Sequence, residues 1–149
     1  MKSAFEPRDS DWEGKVRRSF ARQGVMGLFG ASLAAVRPGN VEIEAPFAEM
    51  LSQQHGFFHA GITSTLADSA CGYSAFSLFP PGTMVLTTEF KINLLAPADG
   101  ERLVAVGNVI KPGRTLTVVE AEVFVHKGEG SKLCAKMLAS VICREGEDA

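Results

Sequence analysis

The chain has 149 residues, with 15 Lys plus Arg against 17 Asp plus Glu and a net charge of −2. That length is ordinary for one domain and buries roughly two thirds of the unfolded surface without disulfides or a structural metal. The near-neutral charge argues against a protein held on nucleic acid mainly by phosphate contacts, and 46% hydrophobic against 21% charged residues excludes a disordered chain.

Met1 to Gly14 lacks an apolar core, and Val25 to Val36 is short and interrupted by glycine, so neither a secretory signal nor a membrane span is expected. Cys71, Cys134 and Cys143 are odd in number and form no C-x-x-C pair, so they read as buried thiols of a reduced, cytoplasmic protein. No repeat or linker interrupts the sequence. Residues 1–149 therefore read as a single domain, with residues 1–24 a helical N-terminal extension.

In that extension Ser10 and Glu13 have the spacing of a capping box, and Trp12, Val16 and Phe20 form one apolar stripe ended by Gly24. Lys15, Arg17, Arg18 and Arg22 surround the stripe as a solvated basic face. Leu33 to Val36 and Val41 to Ala45 flank Arg37-Pro38-Gly39-Asn40 and predict a hairpin. Gly61 to Phe79 predicts a five-turn helix closed by Pro80-Pro81-Gly82. Four strands follow, Met84 to Leu95, Leu103 to Ile110, Thr115 to His126 and Lys132 to Cys143. Strict alternation in the first puts Leu86, Thr88, Phe90, Ile92 and Leu94 on one face, with Thr87, Glu89, Lys91 and Asn93 on the other. The order predicts an α+β fold, an antiparallel sheet packed around one helix.

Asp68 is the one formally charged residue between Glu49 and Glu89, inside a helix that is apolar in nearly every direction. Such a helix is buried, so its carboxylate needs a hydrogen bond, a proton or a polar cleft. Two roles follow: a brace, bonded to Ser64 or at a subunit contact, or a tuned base or nucleophile.

Just upstream, Ala60 to Thr63 supply the first unpaired N–H groups of the helix, a ready place for a developing oxyanion, and Gly61 allows close approach. His55 and His59 stand four apart, but no carboxylate follows at metal-ligand spacing and no H-E-x-x-H occurs, so both fit positioning roles. No G-x-S-x-G, G-x-G-x-x-G or P-loop is present.

The run His59-Ala60-Gly61-Ile62-Thr63-Ser64-Thr65-Leu66-Ala67-Asp68 resembles the H-G-G-x-x-x-x-L-x-D signature of PaaI-type hotdog-fold acyl-CoA thioesterases. The resemblance runs from about Val25 to Ile142 and includes Arg37-Pro38-Gly39, Asn93-Leu94-Leu95-Ala96-Pro97 and Lys111-Pro112-Gly113-Arg114-Thr115. It implies a curved antiparallel sheet wrapped around one long helix, and hydrolysis of an acyl-CoA thioester. It also implies that Asp68 is base or nucleophile, that the Ala60 amide, with Gly61 beside it, polarises the carbonyl, and that Gln53 and Thr87 position the reactants. The sequence departs from the family in reading His-Ala-Gly for His-Gly-Gly, and in placing Gln53 where Asn is usual.

The resemblance further implies homodimers, often paired into tetramers, with each site shared across the dimer interface, and no metal or organic cofactor. In such a site Lys111 and Arg114 are the candidate contacts for CoA phosphates. Neither a nucleic-acid nor a membrane partner is expected. Two rival readings use the same residues. One is a non-catalytic acyl-CoA-binding hotdog domain; the other is a hotdog dehydratase or hydratase in which His59 and Asp68 share proton transfer.

Overall fold

The computed structural model describes residues 5–147. Two helices, α1 (Trp12–Arg22) and α2 (Gly24–Leu28), precede the hairpin of β1 (Ser32–Arg37) and β2 (Asn40–Pro46). A 3-10 turn at Glu49–Leu51 leads to α3 (Ala60–Phe76), then β3 (Thr83–Leu94), β4 (Arg102–Lys111), β5 (Leu116–Lys127) and β6 (Gly130–Glu145). The six strands form one antiparallel sheet in the order β1-β2-β4-β5-β6-β3, so β1 and β3 are its edges. This is the hotdog architecture, with α3 packed against β2 to β6. No helix among the described residues is long and apolar enough to cross a membrane.

The wrap is tight because side chains are missing where helix and sheet cross. A Cβ on Gly107 of β4 would stand 2.3 Å from the Ala70 carbonyl oxygen and 2.6 Å from Ser74 Oγ. Two buried hydroxyls then tie the end of α3 to the first hairpin. Ser74 Oγ donates to the Ala70 carbonyl (2.7 Å) and accepts from the Val41 amide (3.0 Å), while Ser77 Oγ accepts from the Gly39 amide (2.8 Å). Gly39, at φ +74°, makes the turn between β1 and β2.

Several details differ from the sequence expectations. α3 ends at Phe76, and residues 77–79 continue in turns whose amides bond to Tyr73, Ala75 and Phe76 carbonyls. The N-cap of α1 is Asp11 with no side-chain cap bond, so the Ser10–Glu13 box does not form; Asp9 instead accepts the Asp11 amide at 2.9 Å. Arg17 and Arg18 are solvated and paired with Glu13 and Asp11. Lys15 is not part of that face. Its Nζ donates to the Phe79 carbonyl (2.5 Å), pairs with Asp9 (3.3 Å) and lies 4.7 Å from the centre of the Phe76 ring. A cation there meets the carbonyl end of α3, where the helix dipole favours positive charge.

Candidate active site

The first turn of α3 starts from an unusual cap. His59 adopts extended backbone angles, and its Nδ1 accepts the Gly61 amide at 2.8 Å. Accepting at Nδ1 leaves the neutral ring's hydrogen on Nε2. The His59 carbonyl takes the amides of Ile62 (2.9 Å) and Thr63 (3.3 Å). Gly61 was expected to help hold an oxyanion, but its N–H is already engaged. The Ala60 N–H has no partner among the described residues and sits at the positive end of the helix.

Ala60 borders a cavity of about 480 Å³ together with Gln53, His59 and Thr63; Cys134 and the segment from Leu94 to Ala98 form its other wall. The Gln53 side chain is set by its own loop. Its Oε1 accepts the His55 amide (2.5 Å) and faces the Phe57 amide (3.4 Å). Both neighbours are donors, so the oxygen must face them, which leaves the Nε2 hydrogens as free donors. Gly56, at φ +84°, closes this loop, which is anchored by Phe58 N–H to Ala98 and His59 N–H to Leu51. Burial pushes the Cys134 thiol up to about 11, so it remains protonated.

Asp68 lies eight residues further along α3, about 12 Å at 1.5 Å per residue. It is half-buried rather than enclosed, and its Oδ1 accepts the Thr87 hydroxyl at 2.7 Å. Ser64 does not brace it; that hydroxyl donates to the Ala60 carbonyl. The pair with Thr87 depends on a β-bulge. Thr87 is opposite Val141 and Phe90 opposite Ala139, both buried, so Thr88 is the extra residue and Thr87 joins the face of Phe90, Ile92 and Leu94. Thr88 Oγ1 holds the bulge by donating to the Ser140 carbonyl at 2.9 Å. One turn past Asp68, burial first and the Asp68 charge second push the Cys71 thiol up.

The fold thus gathers Gln53, His59 and Ala60 around one cavity and pairs Asp68 with Thr87 at a second location on the same helix. Lys111 and Arg114 occupy the turn at the opposite end of the sheet, where Arg114 borders a separate cavity beside Leu78. Sequence reading passed over Lys127 and Lys132. They line a cavity of about 340 Å³ that shares Phe57 and Pro97 with the first, and Lys127 is paired with Asp99 at 2.9 Å. Their position next to Gly128 and Gly130, in the hairpin turn on the Ala60 side of the sheet, was the available signal.

Comparison with known proteins adds to this geometry. The sequence model of the thioesterase superfamily matches residues 55–132. The crystal structure of a thioesterase family protein from Silicibacter pomeroyi is 49% identical, covers 91% of this chain and 99% of its own, and superposes with a TM-score of 0.89. The PaaI protein of Escherichia coli, from the phenylacetic acid degradation operon, has the same fold at 18% identity, with a TM-score of 0.81 over 91% of this chain and 95% of that one. The 1,4-dihydroxy-2-naphthoyl-CoA hydrolase of Listeria monocytogenes is 24% identical over 100 residues, covering 67% of this chain and 81% of that protein.

Proposed function

The chain belongs to the thioesterase superfamily, and from that membership we propose that it hydrolyses acyl-CoA thioesters as a homodimer whose sites each use both subunits. The observation that carries the reading is the separation, on one helix, of a free N-terminal amide from a carboxylate held by a hydroxyl. About 12 Å apart, Ala60 and Asp68 cannot both address one carbonyl within a single chain; two chains can supply one each. The edge strand β3 offers the contact. It is 12 residues long, unpaired on one side, and exposes Leu86, Phe90 and Leu94 by about half of their surface. Two-fold pairing of such edges runs antiparallel and reverses the second helix against the first.

In this reading the thioester carbonyl oxygen accepts from the Ala60 N–H and the Gln53 Nε2 group of one subunit, at the positive helix end. Asp68 of the partner subunit takes a proton from water through Oδ2, while Thr87 holds Oδ1. The resulting hydroxide adds to the carbonyl carbon, the tetrahedral oxyanion collapses, the C–S bond breaks, and the proton returns to the CoA thiolate. His59, which borders the same cavity, orients the sulfur side through its Nε2–H. The reversed second subunit brings its Lys111 and Arg114 end towards this cavity, where they meet the CoA phosphates. The Listeria relative, whose name states an aryl-CoA substrate, supports the choice of CoA thioesters. The protein acts in the cytoplasm, where acyl-CoA is made and its thiols stay reduced.

The test is thiol release from short, medium, long and aromatic acyl-CoAs by purified protein. Turnover of at least one class is expected. Tight acyl-CoA binding with no thiol release would leave a binding domain instead.

A further inference from the structure

Thr63 is 2% exposed, stands on the first turn of α3, and borders the cavity that holds the Ala60 amide. Its hydroxyl has no hydrogen-bond partner among the described residues. Its neighbours on the helix differ. Ser64 and Thr65 donate to the carbonyls four residues back at 2.8 Å each, Ser74 does so at 2.7 Å, and Ser69 reaches Gln23 Oε1 at 3.0 Å. The carbonyl four residues behind Thr63, that of His59, already accepts the Ile62 and Thr63 amides, which fills both of its lone pairs. A buried hydroxyl without a partner is rare in folded proteins and implies that something else completes it. Apolar groups surround it on the cavity side: Phe57, Phe58, Leu94 and the protonated Cys134.

Position restricts what that something is. Thr63 follows Ala60 by three residues, so the two share a helix face with about 5–6 Å between Cβ atoms. An acyl group whose carbonyl rests on the Ala60 N–H therefore brings its second carbon beyond the carbonyl to the Thr63 side. We infer that Thr63 is a specificity-determining residue that hydrogen-bonds an oxygen on the β carbon of the acyl group, making β-hydroxyacyl thioesters the preferred substrates. This rests on the thioesterase reading proposed above.

Thiol release from 3-hydroxybutanoyl-CoA and butanoyl-CoA is compared for wild type, Thr63→Val and Thr63→Ser. The kcat/KM ratio favours the hydroxyacyl substrate by about tenfold in wild type and in Thr63→Ser, and falls to about one in Thr63→Val. The valine variant keeps shape and loses an unpaired group, so its melting temperature is equal or higher. A wild-type ratio near one overturns the inference. So does a Thr63→Val protein that slows both substrates in proportion, because the hydroxyl then serves the pantetheine arm. If neither thioester is cleaved, the thioesterase reading fails, and calorimetry with 3-hydroxybutanoate and butanoate still decides the contact. Tighter binding of the hydroxy acid by wild type but not by Thr63→Val sustains it, and equal binding by both proteins overturns it.

Discussion

The Thr87 hydroxyl reaches Asp68 at 2.7 Å because Thr88, its neighbour, is bulged out of the ladder between β3 and β6. Without that extra residue, strand alternation would turn Thr87 to the opposite face of the sheet, and Asp68 would lose its partner. Bulges commonly re-aim a side chain beside an active site. Thr87→Val removes the hydroxyl while keeping shape. Steady-state kinetics should show kcat reduced by about ten- to a hundredfold with KM little changed, the loss of one hydrogen bond to a charged group. A raised KM at constant kcat would assign Thr87 to substrate binding.

Ala60 allows a sharper test of the carbonyl site. Proline is favoured at the first helical position, and His59, at φ −63° and ψ 141°, already has the backbone angles that precede proline. Ala60→Pro therefore deletes the first-turn N–H of α3 that has no partner among the described residues, and leaves the helix intact. Removal of an oxyanion donor costs about 10²–10³ in kcat. Mixed dimers of Ala60→Pro and Asp68→Asn subunits should recover activity, since one of their two shared sites then holds both native groups. Mixtures no more active than either variant alone would argue against a shared site.

How much of this was legible in the sequence differs by element. Turn residues such as Pro38-Gly39, Pro112-Gly113 and Gly128 marked the hairpins, and the uncharged run around Asp68 marked the central helix, so the sheet and its helix could be read directly. The bulge could not, because alternation assigns faces by parity and nothing in Thr87-Thr88-Glu89 announces an extra residue. The engaged Gly61 amide was missed because histidine is not among the usual N-cap residues. Lys15 was read as solvated because two of its partners, Phe79 and Phe76, are about sixty residues away and only the tertiary fold brings them together.

The cations at the two ends of the sheet make separable predictions. With Lys111 and Arg114 both changed to Ala, KM for acyl-CoA should rise with little change in kcat, and the effect should shrink on a pantetheine thioester lacking the nucleotide. The same pair of measurements on Lys127→Ala with Lys132→Ala tests the other end. A KM effect confined to the Lys127 and Lys132 variant would place the phosphates beside the first cavity instead.

Lys15 and Asp9 fasten α1 to the end of α3. Lys15→Met leaves the Phe79 carbonyl and the Asp9 carboxylate without their cation, at a cost of about 1–3 kcal/mol. The Asp11 amide, followed by Lys15, holds the Asp9 carboxyl below its ordinary 3.8. Its lowered value means that its stabilising contribution is complete above 3.8 and is lost as pH falls through the folded-state value. Melting temperatures of wild type and Asp9→Asn should therefore differ at neutral pH and converge once the pH has fallen below the folded-state value. A difference that persists in acid would mean that charge at Asp9 is not the source.

The central claim is that Asp68 is the proton acceptor of a thioester hydrolysis, and Asp68→Asn tests it most directly. The substitution keeps the shape and an oxygen for Thr87 but cannot take a proton from water. Thiol release and melting temperature are measured on the same variant. The account predicts a loss of about 10²–10⁴ in rate with an unchanged melting temperature. Hydrolysis near the wild-type rate, with a lowered melting temperature, would contradict it and assign the carboxylate to structure.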